Sequence, residues 1–171
     1  MSEVAKFWMG GIIKHTPALT AIWSPTVNCY RRLHQPWAPT VADWGVDDRF
    51  VSFRWKGFSE NSALIENRIV SGAANPYLVL ASTIAAGIDG IKNKIPCPKP
   101  NDTDAVKLPT NLEEALINLE NDKILVDSLG DEFVKWFVGI KREIELPVEK
   151  EIKESNASGI ITCEWKMYKA I

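Results

Sequence analysis

The sequence contains little of what metal-dependent or acid–base enzymes need. It has 2 histidines and 3 cysteines among 171 residues, and Cys29, Cys97 and Cys163 are too far apart for a zinc-binding spacing. An odd number of widely separated thiols is typical of a reducing compartment, so we expect a cytoplasmic protein. The sequence also lacks a glycine-rich phosphate loop and a histidine close to a nucleophile. The chain alone is therefore predicted to be catalytically incomplete.

An excess of one charge and a long apolar run are missing as well. Lys and Arg number 20 against 22 Asp and Glu, for a net charge of -2, so no basic field is available to attract nucleic acid. The longest nearly apolar run, Tyr77 to Ile88, is shorter than the roughly 20 residues that span a bilayer. We therefore expect neither nucleic acid nor a membrane as a partner.

Apolar residues at helical spacing predict the main helices. The first helix has weak points at Gly10-Gly11 and at Pro17, and Pro147 stops or kinks the last one. The second is so rich in small and aliphatic residues that we expect it to pack on nearly all sides. The predicted helices span residues 4–21, 73–94, 110–121 and 131–146.

Segments rich in β-branched and aromatic residues predict a small sheet. Residues 49–55 and 63–70 are joined by a turn-prone stretch and should form an antiparallel hairpin. Further strands near 40–45 and 160–168 would complete an antiparallel sheet with helices packed on one face. The expected fold class is therefore α+β.

Two proline-rich segments are predicted to be irregular. Residues 24–40 should form a long functional loop, and residues 96–109 a flexible linker. Within the first segment, His34 could contact a ligand and Trp37 could cover a pocket or a partner surface. His15 lies near a helix end, where we expect a structural role.

Arginines on the hairpin and in the first loop are the candidates for ligand chemistry. Arginines that point from a sheet into a cleft are suited to bidentate capture of carboxylate or phosphate. Pairing with neighbouring acids such as Asp43, Asp47 or Asp48 is the alternative, and spacing leaves both open. The candidates are Arg32 in the loop, Arg49 and Arg54 on the first hairpin strand, and Arg68 beside Glu66 on the second.

Four longer motifs carry a family resemblance. PTVNCYRRL, NPYLVLASTIAAGIDGIKNKI, LPTNLEEALINLENDKIL and GDEFVKWFVGIKREIE resemble the C-terminal part of the glutamine synthetase catalytic domain, and the similarity covers almost all of residues 1–171. The resemblance implies a piece of an enzyme that joins an amine to glutamate through γ-glutamyl phosphate, using ATP and Mg²⁺ or Mn²⁺. It also implies a ring-type homo-oligomer, a decamer or dodecamer, with active sites between neighbouring subunits.

The resemblance also implies residue roles. Matched position by position, Arg32 and Arg68 would bind the glutamate substrate. Arg49 and Arg54 would bind the phosphate of the nucleotide. Glu66 would be a metal ligand.

Three features depart from the family pattern. The loop HQPWAP around Trp37 is one residue shorter and lacks the family's glutamate, which helps to deprotonate ammonium. Asp47 and Leu64 stand where the family has arginines, and neither can neutralise the charge that develops on a transferred phosphoryl group. The ligase chemistry implied by the resemblance is therefore incomplete in this chain.

Two functions remain open from the sequence. The first is a non-enzymatic protein similar to the lengsin-like branch of the family, with a structural or chaperone-like role beside intermediate-filament or cytoskeletal proteins of the lens. The alternative is an ATP-dependent glutamate–ammonia or glutamate–amine ligase, of which this chain is one part. Because the family's upstream strands precede this stretch, we also expect exposed apolar surface and self-association.

Overall fold

The computed structural model of the chain describes residues 1–33, 35–57 and 62–154, together with residues 162 and 165. The described residues form helices around a small sheet, which confirms the α+β fold class. A π-helical turn, Lys141–Glu145, joins the last two helices. The elements are α1 (Glu3–Trp23), α2 (Val27–Leu33), β1 (Trp44–Val46), β2 (Phe53–Lys56), β3 (Leu64–Asn67), α3 (Pro76–Lys92), α4 (Leu112–Asn121), α5 (Lys123–Leu129), α6 (Asp131–Ile140) and α7 (Leu146–Glu154).

Helix α1 begins at a serine cap and continues unbroken through Pro17. The hydroxyl of Ser2 accepts a hydrogen bond from the backbone N–H of Ala5 at 3.2 Å, which satisfies one of the free donors of the first turn. Pro17 offers no N–H to the preceding turn, yet the second half of the helix is almost entirely buried. Tertiary packing thus keeps the helix continuous at the predicted weak point.

Helices α1 and α3 cross at glycines, where their backbones are in close contact. A Cβ atom on Gly11 would lie 2.2 Å from the carbonyl oxygen of Ala86 and 2.6 Å from the Cα of Gly90. A Cβ atom on Gly90 would lie 2.1 Å from the carbonyl oxygen of Phe7. Gly11, part of the predicted weak point Gly10-Gly11, is therefore where the two backbones pack against each other.

The prediction that this central helix packs on nearly all sides is wrong. One stripe of α3 is exposed, with residues three or four positions apart. The small and aliphatic composition of the helix could not show which of its faces pack against other elements. The exposed apolar surface expected on the face of the sheet where upstream strands would pack, and self-association, both stay predictions. The stripe consists of Tyr77, Leu80, Ile84, Ile88 and Ile91.

The predicted loop at residues 24–40 contains a short helix, which the proline count concealed. Helix α2 has 7 residues, and Val27, Cys29, Tyr30 and Leu33 are buried in the core. The prolines at positions 25 and 36 lie outside it, so none interrupts its hydrogen bonds. The interpretation of this whole segment as irregular was therefore wrong.

The sheet has the order β1-β2-β3 and is mixed. Strands β2 and β3 form the predicted antiparallel hairpin, with Arg54 opposite Glu66. Strand β1, predicted to be antiparallel, runs parallel to β2, with Gly45 beside Arg54. Asp43 makes this short connection possible, because its carboxylate and its carbonyl accept the backbone N–H groups of residues 52 and 53 at 2.8 and 3.1 Å. Burial raises the pKa of this Asp43 carboxyl.

The helices after residue 110 differ from the prediction at their ends. Helix α4 is capped by Asn111, whose side chain accepts the N–H of Glu114 at 2.9 Å, and α5 was not predicted. Pro147 does not end the helical segment, because α7 includes it. The π-helical turn precedes it: the N–H of Leu146 bonds to the carbonyl of Lys141, a wider turn that accommodates the proline.

The segment at residues 96–109 is irregular and is hydrogen-bonded to the region of β1. The N–H of Asn101 donates to the carbonyl of Trp44 at 2.8 Å, and the N–H of Leu108 donates to Thr40 at 2.9 Å. Its flexibility stays a prediction. The predicted strand at 160–168 lies outside the described residues, except for Thr162 and Trp165, which are helical rather than extended.

Membrane insertion of the described part can be assessed from its helices. Helix α1, with 21 residues, carries charges along its length, and α3 has 17 residues. Within the described ranges, no helix combines the length and the apolar character needed to cross a membrane.

The glycine contact predicts a large effect of one methyl group. Gly11→Ala should lower the free energy of unfolding by about 1–3 kcal/mol or more, because the backbone atoms that the new methyl group meets cannot move aside as a side chain can. The matched control is Gly139→Ala on α6, where an added Cβ meets nothing within 4 Å. That change should raise stability by about 0.5–1 kcal/mol. Urea unfolding measures both, and equal effects of the two changes would contradict the packing described here.

Candidate functional site

The candidate metal ligand Glu66 lies among basic side chains on one face of the β2–β3 hairpin. The carboxylate of Glu66 is 2.5 Å from Nζ of Lys56, 3.5 Å from Nη1 of Arg54 and 3.8 Å from Nε of Arg68. The antiparallel register explains this, since Arg54 is opposite Glu66 and Lys56 is opposite Leu64. The hydrogen bond from Lys56 is the main cause that lowers the pKa of Glu66.

Arg54 is committed to carboxylates of this same chain. Its guanidinium forms an ion pair with Asp47 and a longer one with Glu66. Asp47 has a positive φ of 52°, and its N–H donates to the carbonyl of Trp55 at 2.9 Å. This backbone conformation and hydrogen bond position its side chain for the contact. The resemblance implies an arginine at the position of Asp47. Here Asp47 neutralises Arg54, which the resemblance assigns to phosphate.

Arg32 and Arg68 lie together and donate to backbone carbonyls. Nη1 of Arg32 donates to the carbonyl of Arg68 at 2.9 Å, and Nη2 donates to the carbonyl of Ile69. Arg68 donates to Val51 at 3.1 Å and to Trp37 at 3.2 Å. Burial, and to a smaller extent the Arg68 charge, lowers the pKa of Arg32. The two candidate substrate arginines thus tie α2, the Trp37 loop and β3 to one another.

A cavity of about 510 Å³ opens beside Arg32. Its wall comes from α2 and from the turn that follows β3, so it lies next to the arginine pair. Residues with polar groups and residues with small side chains share the lining, and Arg32 is its charged member. The lining residues are Thr26, Asn28, Cys29, Arg32, Ser71, Gly72 and Ala73.

The side chains of Arg49, Trp37 and Leu64 take no part in these contacts, although the carbonyl of Trp37 accepts from Arg68. Arg49 was predicted on a strand, but it lies exposed in the bend before β2, and the described residues offer it no ion-pair partner. Trp37 is 72% exposed, and the centroid of its ring lies 5.8 Å from the ring centroid of Phe50. Leu64 is 49% exposed on the Glu66 face of the hairpin. The structure therefore joins Arg54, Glu66 and Arg68, and leaves Arg49 outside.

A divalent metal does not fit the residues present around Glu66. Mg²⁺ and Mn²⁺ require several oxygen ligands, and nearby cations oppose their binding. Glu66 is a single carboxylate with Lys56, Arg54 and Arg68 around it. Across the described ranges, no group of three or more His, Cys, Asp or Glu side chains is arranged to hold a metal.

Two functional features were missed from the sequence. Lys56 could have been found, because period-two alternation along β2 places it on the same face as Arg54. A buried polar cluster around His15 could not, because its members are far apart in sequence. Nδ1 of His15 lies 2.5 Å from Oδ2 of Asp122, and Nε2 lies 2.9 Å from Oδ2 of Asp89.

Comparison with known proteins now identifies the family. The family model described as the catalytic domain of glutamine synthetase matches residues 1–158. A solved complex of GmaS with ADP has the same fold, with a TM-score of 0.78 and 30% identity, over 100% of this chain and 40% of that one. The chain therefore belongs to the glutamine synthetase family.

The curated relatives include both non-synthetase and synthetase names. Lengsin of Homo sapiens is 37% identical over 169 residues, 91% of this chain and 33% of lengsin. The glutamine synthetase of Pyrococcus furiosus is 39% identical over 155 residues, 82% of this chain and 35% of that enzyme. The chain thus spans about a third of the length of these relatives.

The ion pair at Glu66 generates a prediction. Lys56→Met should raise the pKa of Glu66 toward its ordinary value of 4.5, because the main group that favours the carboxylate is removed. A carbon-13 NMR titration of the side-chain carboxyl measures this change. The control Lys135→Met removes an exposed lysine that pairs with Asp131 on α6, and it should leave Glu66 unchanged. A Glu66 pKa that is the same in both variants would contradict the described ion pair.

Proposed function

We propose that the protein containing this chain is a non-enzymatic, lengsin-like member of the glutamine synthetase family with a structural or chaperone-like role. One observation carries the proposal: Arg54 and Glu66, which the resemblance assigns to phosphate and metal, are neutralised by other side chains of this chain. Glu66 is bonded by Lys56, and Arg54 is paired with Asp47. A ligase needs these groups directed at substrate and metal instead.

The energetics of the hairpin support this proposal. The cations Arg54 and Lys56 are 13% and 29% exposed, whereas their partners Asp47 and Glu66 are 47% and 36% exposed. Directing the carboxylate of Glu66 at a metal leaves Lys56, the less exposed partner, without its counter-charge, at a cost that solvent screening keeps small. The exposed apolar side chain of Leu64 on the same face adds no compensating charge.

The proposed partners follow from the family and from the surface of α3. We propose a ring-type homo-oligomer, a decamer or dodecamer, for the full-length protein, and intermediate-filament or cytoskeletal proteins as further partners. The exposed apolar stripe of α3, residues 77 to 91, supports an assembly role, since exposed apolar patches are typical of interaction surfaces. The protein would act in the cytoplasm.

An ATP-dependent glutamate–ammonia or glutamate–amine ligase is the second candidate function. It is favoured by the pair of arginines, Arg32 and Arg68, beside a cavity of about 510 Å³. The identity to the Pyrococcus furiosus glutamine synthetase, 39%, is as high as that to human lengsin, 37%. In this case ATP and Mg²⁺ or Mn²⁺ would be needed, and Trp37 would favour a bulkier, apolar amine.

Calorimetric titration of the full-length protein with ATP and Mg²⁺ separates the two functions. We expect no tight nucleotide binding and no γ-glutamyl transfer, because the hairpin charges are already paired. The Pyrococcus furiosus glutamine synthetase, titrated in the same buffer, is the positive control. Phosphate release from ATP with glutamate and a panel of amines extends the test. Glutamate-dependent release with any amine would overturn the non-enzymatic proposal and establish the ligase.

A further inference from the structure

A polar cluster around the buried His15 on α1 contains two carboxylates. His15 is 3% exposed, and its two ring nitrogens face carboxylates from two other helical elements. Nδ1 lies 2.5 Å from Oδ2 of Asp122, the cap of α5, and Nε2 lies 2.9 Å from Oδ2 of Asp89 on α3. One side chain therefore connects three elements that are distant in sequence.

Both contacts can be hydrogen bonds only when the ring carries two protons. An ionised carboxylate accepts hydrogen bonds and donates none, and a neutral imidazole has a single N–H. In either neutral tautomer, a bare ring nitrogen would face the oxygens of Asp89 or of Asp122. The geometry at 2.5 and 2.9 Å thus requires His15 as an imidazolium ion.

The surrounding charges balance only with His15 protonated. From α1, Nζ of Lys14 lies 3.3 Å from Oδ2 of Asp89, and from α5, Lys123 lines the same open cavity of about 470 Å³ as His15. With Lys14 and an imidazolium, the two carboxylates are neutralised. Loss of the ring proton leaves one buried negative charge without a partner, an unfavourable state.

The carboxylates are themselves fixed in place. Oδ1 of Asp89 accepts the side-chain N–H of Asn93 at 2.7 Å, and Oδ1 of Asp122 accepts the backbone N–H of Leu125 at 3.1 Å. Neither carboxylate can turn away from His15 without losing a second hydrogen bond. The cluster therefore has one favourable arrangement, and it depends on a single proton.

We propose that His15 is a proton-dependent clamp that fastens the start of α5, together with α3, onto α1 and releases α5 when the ring loses its second proton. Helix α5 is the element that yields. It has 7 residues, of which Leu125 is buried and Val126 and Leu129 are half-buried against the core, so this short helix has fewer anchoring side chains than α1 or α3 once Asp122 is repelled.

The direction of the pH dependence follows from His15. Burial alone lowers its pKa, but the hydrogen bonds to Asp122 and Asp89 outweigh burial and raise the pKa above its ordinary value of 6.5. Because the folded-state pKa is raised, the stabilisation is fully present below 6.5 and is lost as the pH rises through the folded-state value. The clamp is thus closed below pH 6.5 and opens as the pH rises through the raised pKa of His15.

Hydrogen exchange on the full-length protein tests the clamp in two ways. Exchange of the histidine C2 hydrogen, followed by mass spectrometry, gives the titration midpoint of His15. Amide exchange of peptides covering α5, corrected for the intrinsic pH dependence, gives its protection. We expect the midpoint above 6.5 and at least about a tenfold loss of α5 protection across it. A midpoint at or below 6.5, or protection that stays constant across it, would overturn the proposal.

A charge-removing variant tests the clamp without replacing the buried His15 ring. Asp122→Asn retains a good cap for α5 and removes the negative charge that faces the ring. It should lower the His15 midpoint, and the loss of α5 protection should move with it. Asp131→Asn, at the first turn of α6 and paired with Lys135, is the control and should change neither. A loss of α5 protection that does not move with the midpoint would show that another group controls it.

Discussion

The backbone contact of α1 with α3 is the constraint on which the rest of the structure depends. Glycines 11 and 90 allow the two helices to approach until only main-chain atoms separate them. This approach places the end of α1 beside the hairpin: the carbonyl of Trp23 accepts the N–H of Ser71 at 2.8 Å, and the hydroxyl of Ser24 donates to Ile69 at 3.0 Å. The hairpin that carries the candidate site is thus positioned from α1. The same crossing brings His15 within reach of the carboxylate on α3.

The candidate site combines the family fold with charged groups that contact one another within the chain. The arginines matched to substrate binding hold backbone carbonyls, so they have a structural role that favours keeping them. Arg54 and Glu66, which the resemblance matches to phosphate and metal, are paired with Asp47 and Lys56. Packing and local neutralisation of charge account for these contacts of the hairpin.

The sequence predicted those parts of the fold that depend on local patterns. Helical spacing located α1, small and aliphatic composition located α3, and β-branched and aromatic residues located the β2–β3 hairpin. It could not predict the parallel pairing of β1, which depends on hydrogen bonds that Asp43 accepts from residues 52 and 53. It also could not predict α2, because this 7-residue helix lies within a proline-rich region. The His15 cluster escaped prediction because Asp89 and Asp122 meet it only through tertiary packing.

A manganese titration of the full-length protein, followed by electron paramagnetic resonance of the free ion, tests the central claim most directly. The claim is that Glu66 belongs to an ion pair with Lys56 and does not hold a metal. The account predicts that wild type and Glu66→Gln bind Mn²⁺ with the same affinity, within about twofold. Tight binding by wild type that falls by at least about tenfold in Glu66→Gln, the loss typical of a residue at a metal site, would contradict it.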